Sequence, residues 1–196
     1  MNDKNLFFNN WIKISLVNFL IVALVGVLLR YKINFPLPLV NYKFLLHAHS
    51  HFAFAGWVTQ ILMALIVQYV YEHNNSINLS RYKKIFWGNF ITAYGMLISF
   101  AIQGYALYSI IFSTASIFVS YWFAASVLPL IRESNIHPIT KKYFYASLLF
   151  NVLSSLGPFS LAFMMVSHMA NQDYLLGAVF YYLHFQYNGW FLFVIF

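Results

Sequence analysis

Histidine is the residue type in this chain best suited to chemistry, and four of the seven histidines lie in apolar sequence. Three form the run Leu46-His47-Ala48-His49-Ser50-His51, and the fourth stands in Leu183-His184-Phe185-Gln186-Tyr187. A neutral imidazole can hold a metal ion without carrying a charge that apolar surroundings must desolvate. An ionisable side chain inside an apolar span is costly, so it marks a functional site by default. In a helix, His47 and His51 share one face and His49 points nearly opposite. His184 has Asn188 one turn further on. His47, His49, His51 and His184 are therefore the candidate metal ligands. A lone membrane histidine is more simply read as a hydrogen bond between helices, a reading that fits a His-x-His-x-His run poorly. His73 and His137 fall in polar loops and His168 at the end of a span, where solvated or interfacial roles suffice.

The run has an internal echo. His51-Phe-Ala-Phe-Ala-Gly56-Trp57 matches His184-Phe-Gln-Tyr-Asn-Gly189-Trp190 as His-Phe-x-aromatic-x-Gly-Trp. Such a match implies either a duplicated helix-pair unit or one common demand at a shared site. The glycine would let a flat macrocycle or a neighbouring helix approach the backbone. The expectation is that the imidazoles of His51 and His184 converge on one prosthetic group or ion.

Absences narrow the chemistry. There is no cysteine, which removes disulfides, thiolate metal sites, c-type haem attachment and cysteine nucleophiles together. The four acids, Asp3, Glu72, Glu133 and Asp173, sit at ends or in loops. A zinc hydrolase built on His47 and His51 would want a carboxylate as general base, and none lies within a span. Neither a phosphate loop nor a nucleophile elbow occurs.

These residues must be positioned by membrane helices. The chain of 196 residues is 62% hydrophobic and 8% charged, against about 25% charged in ordinary soluble domains. That balance excludes a soluble globular enzyme. Six apolar stretches of about 20 residues, enough to cross a hydrocarbon core, run over Trp11–Leu29, Phe44–Tyr71, Ile85–Leu107, Ile110–Ile131, Phe144–Val166 and Tyr174–Phe196. The fold expected is all-α: a polytopic transmembrane helical bundle forming one domain over residues 1–196. Eight lysines and arginines fall on the side of the N-terminus and three on the other. The positive-inside rule then puts the N-terminus in the cytoplasm. The net charge of +7 thus speaks to topology rather than to nucleic acid, which is not an expected partner. Because the last residues remain apolar, the chain is expected to be a fragment of a longer membrane protein.

At these residues the chain resembles subunit I of the haem-copper oxidase superfamily, best over Ile12 to Val70. In that family the first helix ends in a glycine and an arginine, a loop with proline and tyrosine follows, and the second helix opens with a haem-ligating histidine. The matching residues are Gly26, Arg30, Pro36 or Pro38, Tyr42, Leu46 and the histidine run. His49-Ser-His51-Phe-Ala-Phe-Ala-Gly-Trp57 also resembles an element of short bacterial membrane proteins similar to that subunit. The resemblance implies a haem, of b type, with copper or another metal ion as a further cofactor. It makes His51 the axial ligand with His47 the second candidate, His184 a ligand from the sixth span, and Arg30 a partner for a haem propionate. The echo favours His51, and the position just after Leu46 favours His47. It also implies a bacterial inner membrane, with the lipid bilayer, other respiratory subunits or a second copy as partners. The family's later helices, with their haem and copper ligands, have no counterpart in these six spans, so the chain by itself is not expected to reduce oxygen. Two alternatives stand beside this reading: a zinc or di-iron membrane metalloenzyme on the same histidines, and a non-catalytic transporter or accessory protein.

Overall fold

The computed structural model describes residues 3–74, 78–167 and 171–196, and His168 lies outside the described residues. All its elements are helical: α1 Asp3–Asn34, α2 Tyr42–Phe52, a π-helical segment π1 Ala53–Thr59, α3 Gln60–Glu72, α4 Leu79–Gln103, α5 Leu107–Glu133, α6 Pro138–Ser154, α7 Leu156–Val166, α8 Gln172–His184, a second π-helical segment π2 Phe185–Phe191, and α9 Leu192–Ile195. Among the described residues there is no strand, as continuous apolar runs without period-two alternation require.

Local chemistry sets the helix ends. Phe35-Pro36-Leu37-Pro38 follows α1, and a residue before proline is driven out of the helical region. Side chains cap the starts. Asn41 accepts from the Phe44 amide at 3.2 Å, Asn78 from Ser80 at 3.0 Å and Asn171 from Asp173 at 2.9 Å. His137 caps α6 through Nδ1, which accepts from the Ile139 amide at 3.3 Å ahead of Pro138 in the first turn. The loop position expected of His137 thus carries a structural job that its type does not advertise.

Five helical stretches among the described residues are long and apolar enough to cross a membrane, as fits an integral membrane protein: Leu6–Asn34, Tyr42–Glu72, Leu79–Gln103, Leu107–Glu133 and Pro138–Val166. The sixth expected span is helical from Gln172 to Ile195. Its Gln172, Asp173, His184, Gln186 and Asn188 leave it more polar than the other five.

The chain divides into two compact units, Met1–Glu72 with Ser76–Phe123, and His73–Asn75 with Ala124–Phe196. In the first, α1 and α4 both run antiparallel to the continuous rod α2-π1-α3. Val22, Phe52 and Ala93 form one buried cluster of this unit, and Ala48, Met96 and Phe100 another. Gly95 of α4 lies against the Phe112 ring of α5. In the second unit α6 and α7 face the rod α8-π2-α9. A Cβ at Gly157 would lie 2.6 Å from the Ala178 carbonyl oxygen, so these two backbones are nearly in contact.

The two π segments coincide with the two copies of the echo. π1 begins two residues after His51 and π2 one residue after His184, each is seven residues long, and each contains the Gly-Trp pair. A π turn pairs residue i with i+5, which widens the helix and makes its backbone groups available to side chains. The repeated motif therefore encodes a backbone feature as well as an imidazole.

Candidate histidine site

His47 and His51 lie one turn apart on α2 and share a face, as their spacing requires. The His51 ring stacks on Phe100 of α4, with centroids 4.3 Å apart and planes 7° from parallel. The fully buried Phe100 ring thereby covers one face of the imidazole and leaves its in-plane nitrogens to point along the ring surface. His51 Nε2 is 3.1 Å from the Tyr105 hydroxyl. The Tyr105 ring also meets His47 edge to face, with centroids 4.7 Å apart.

Tyr105 comes from the short turn between α4 and α5, and that turn is tightly held. Gly104 has φ +63°, a conformation that glycine adopts without the penalty a side chain brings. It also packs on the Phe44 ring of α2, where a Cβ would collide. The buried Ser109 hydroxyl donates to the Gly104 carbonyl at 2.6 Å and accepts from the Ala106 amide at 2.9 Å. Tyr105 is thus presented to the histidines by a rigid turn. Desolvation pushes its phenol above the ordinary tyrosine value, so it is neutral near pH 7.

His49 faces the other way, onto α1. A Cβ at Gly26 would lie 3.3 Å from its Cε1, so the imidazole packs directly on the α1 backbone. Its Nδ1 is buried with no partner among the described residues. The histidine run is therefore split, with His47 and His51 toward Phe100 and Tyr105 and His49 toward α1. No three His, Cys, Asp or Glu side chains come together among the described residues. Arg30 is exposed, one turn beyond Gly26 on α1. The antiparallel packing puts it near the level at which α2 begins.

Beneath the histidines lies a buried polar chain that inspection of the sequence did not single out. Asn18 donates to the Gly56 carbonyl at 2.6 Å and accepts from the Tyr94 hydroxyl at 2.8 Å. Asn89 donates to the Ala55 carbonyl and to Gln60 Oε1, both at 2.9 Å. These amides satisfy carbonyls of π1 in an apolar setting, where an unpaired group is costly. Lone asparagines inside apolar spans were the available signal. In the second unit the buried contact is between side chains instead, with Gln186 of π2 donating to Asn151 Oδ1 at 3.2 Å and Ser154 Oγ at 2.7 Å.

His184 is exposed, and its Nδ1 is 3.3 Å from Asn188 Nδ2. The Asn188 amide N–H thus donates to Nδ1, which orients the ring and leaves the imidazole proton on Nε2.

No protein-family model, no curated protein and no solved structure matches the chain.

Proposed function

We propose that this chain is a haem-binding integral membrane protein, similar to oxidase subunit I, serving respiratory electron transfer or its assembly. In this proposal six segments cross a bacterial inner membrane, the N-terminus is cytoplasmic, and other respiratory subunits or a second copy of the chain are the partners. The observation that carries it is the pair of imidazoles, His47 and His51, on one face of a membrane-length helix beside a wall of aromatic rings.

The donor chemistry fits a haem. Imidazole is a common axial ligand of haem iron, and Phe100 and Tyr105 supply flat apolar surface. His47 has no hydrogen-bond partner among the described residues, so its nitrogens are open. His51 Nε2 is held by Tyr105 and must leave that hydroxyl to ligate. His47 is thus the readier axial donor, with His51 behind it on the same face. Arg30 is the proposed partner of a propionate, since guanidinium matches a carboxylate with two parallel hydrogen bonds. His184, backed by Asn188, is a second imidazole of the same kind in the other unit. The haem supplies one-electron redox chemistry when bound, while the chain supplies axial donors and a low-dielectric setting.

The absorption spectrum of the full chain, purified in detergent from haem-sufficient cells, tests this. A Soret band that falls at least tenfold in His47→Ala or His51→Ala is expected. A colourless wild-type protein overturns it.

A further inference from the structure

We propose that His47, His51 and Tyr105 together form a site for a bare first-row transition-metal dication of the copper(II) class. The proposal rests on the reading that the span-two imidazoles are ligands, and it adds a phenolic oxygen that the histidine pattern does not reveal. All three residues belong to the first compact unit.

The geometry of the pair already matches two donors on one ion. Metal–nitrogen and metal–oxygen bonds are about 2.0–2.2 Å. Two such donors at roughly a right angle are then about 2.8–3.1 Å apart. His51 Nε2 and the Tyr105 oxygen are 3.1 Å apart. An ion can therefore take the place of the shared proton once the imidazole and the phenol turn so that both lone pairs meet at it. His47, one turn away on the same helix face, packs edge-on against the same phenol at 4.7 Å. It brings a third donor from the position that helical His-x-x-x-His pairs use.

The supports are rigid. Phe100 fixes the plane of the His51 ring by stacking at 4.3 Å. The Gly104 turn, tied by Ser109, fixes Tyr105. A binding site needs supporting residues of this kind to hold its donors in place. Imidazole and phenol oxygen suit copper(II), which also heads the affinity order of the divalent series. Binding releases the phenol proton to solvent, leaving a phenolate on the ion. A porphyrin on the same imidazoles and a bare cation exclude each other.

The test titrates the full-length chain in detergent with copper(II), reading the visible spectrum and the copper electron paramagnetic resonance signal, with haem measured separately by its Soret band. Expected are one ion per chain, nitrogen hyperfine structure and a phenolate-to-copper charge-transfer band. Tyr105→Phe keeps the ring that packs on His47 and Phe100, so it isolates the oxygen. It should erase the charge-transfer band and weaken binding by more than the roughly 10–100-fold that loss of a residue merely supporting a ligand costs. His51→Ala should abolish the site, and His49→Ala, on the opposite face, should leave it intact. Tyr105→Phe with unchanged affinity and spectrum overturns the proposal, as does the absence of stoichiometric binding to haem-free protein. Copper binding in a protein that never shows a Soret band leaves this site standing and removes the haem reading alone.

Discussion

The side-chain amide of Asn18 donates to the main-chain carbonyl of Gly56 at 2.6 Å, pinning α1 to the π-helical segment that follows the histidine run. Gly56 admits no side chain there, since a Cβ would lie 2.6 Å from the Phe52 ring. The contact thus depends on a bare backbone, a widened helical turn and a buried amide on another helix. It sets the height of α1 against the rod that carries His47, His49 and His51.

Replacing Asn18 with leucine removes that bond and the one from Tyr94. Hydrogen bonds between membrane helices average about 0.6 kcal/mol, whereas an orphaned buried polar group costs about 1–3 kcal/mol. The second effect dominates, because both the Gly56 carbonyl and the Tyr94 hydroxyl lose a partner. Asn18→Leu should lower stability by about 1–3 kcal/mol, measured by reversible unfolding in mixed micelles. Unchanged stability would show that the amide is dispensable.

Two glycines of the second unit make a matched pair. A Cβ at Gly157 would strike the Ala178 carbonyl at 2.6 Å and the Tyr182 Cβ at 2.8 Å, while one at Gly177 meets nothing within 4 Å. Backbone and Cβ atoms cannot swing aside as a flexible side chain can. Gly157→Ala should destabilise by about 1–3 kcal/mol, the range for overpacking. Gly177→Ala should be neutral or stabilise by up to about 1 kcal/mol through helix propensity. Thermal unfolding of both variants measures the difference, and equal behaviour would refute the close approach of α7 and α8.

The split of the histidine run separates packing from ligation. His49→Ala leaves a gap beside Gly26 where the imidazole packs on α1. It should therefore lower stability by about 1–3 kcal/mol while retaining haem. His47→Ala should do the reverse, losing haem with little loss of stability. Haem content per protein and the unfolding midpoint, measured on the same preparations, report the two effects independently. Haem loss in His49→Ala without any change in stability would assign the ligand to the wrong face.

Gln186 and Asn151 offer a direct measure of how π2 is held. Gln186 is buried and donates to both Asn151 and Ser154. A double-mutant cycle of Gln186→Leu with Asn151→Leu should give a coupling of about 0.5–2 kcal/mol, because each single change removes the bond between the two amides. A coupling near zero would mean that water already serves both groups.

The amino-acid sequence by itself determined the helices, the membrane-length apolar rods and the opposed faces of His47 and His49. These follow from composition and from a period of 3.6 residues, which are local properties of the chain. The echo too was legible as a repeat, since it is a match along the chain. Its meaning as a pair of π turns was not, because the widened geometry depends on what packs beside it. Tertiary structure alone decided that Tyr105, 54 residues from His51, would bring its hydroxyl to that imidazole. It likewise decided that Asn18 and Asn89 would meet carbonyls of π1. One tyrosine among 15 carries no mark of such a role. Which side chains oppose one another across helices depends on register and rotation, and those are set only when whole surfaces pack.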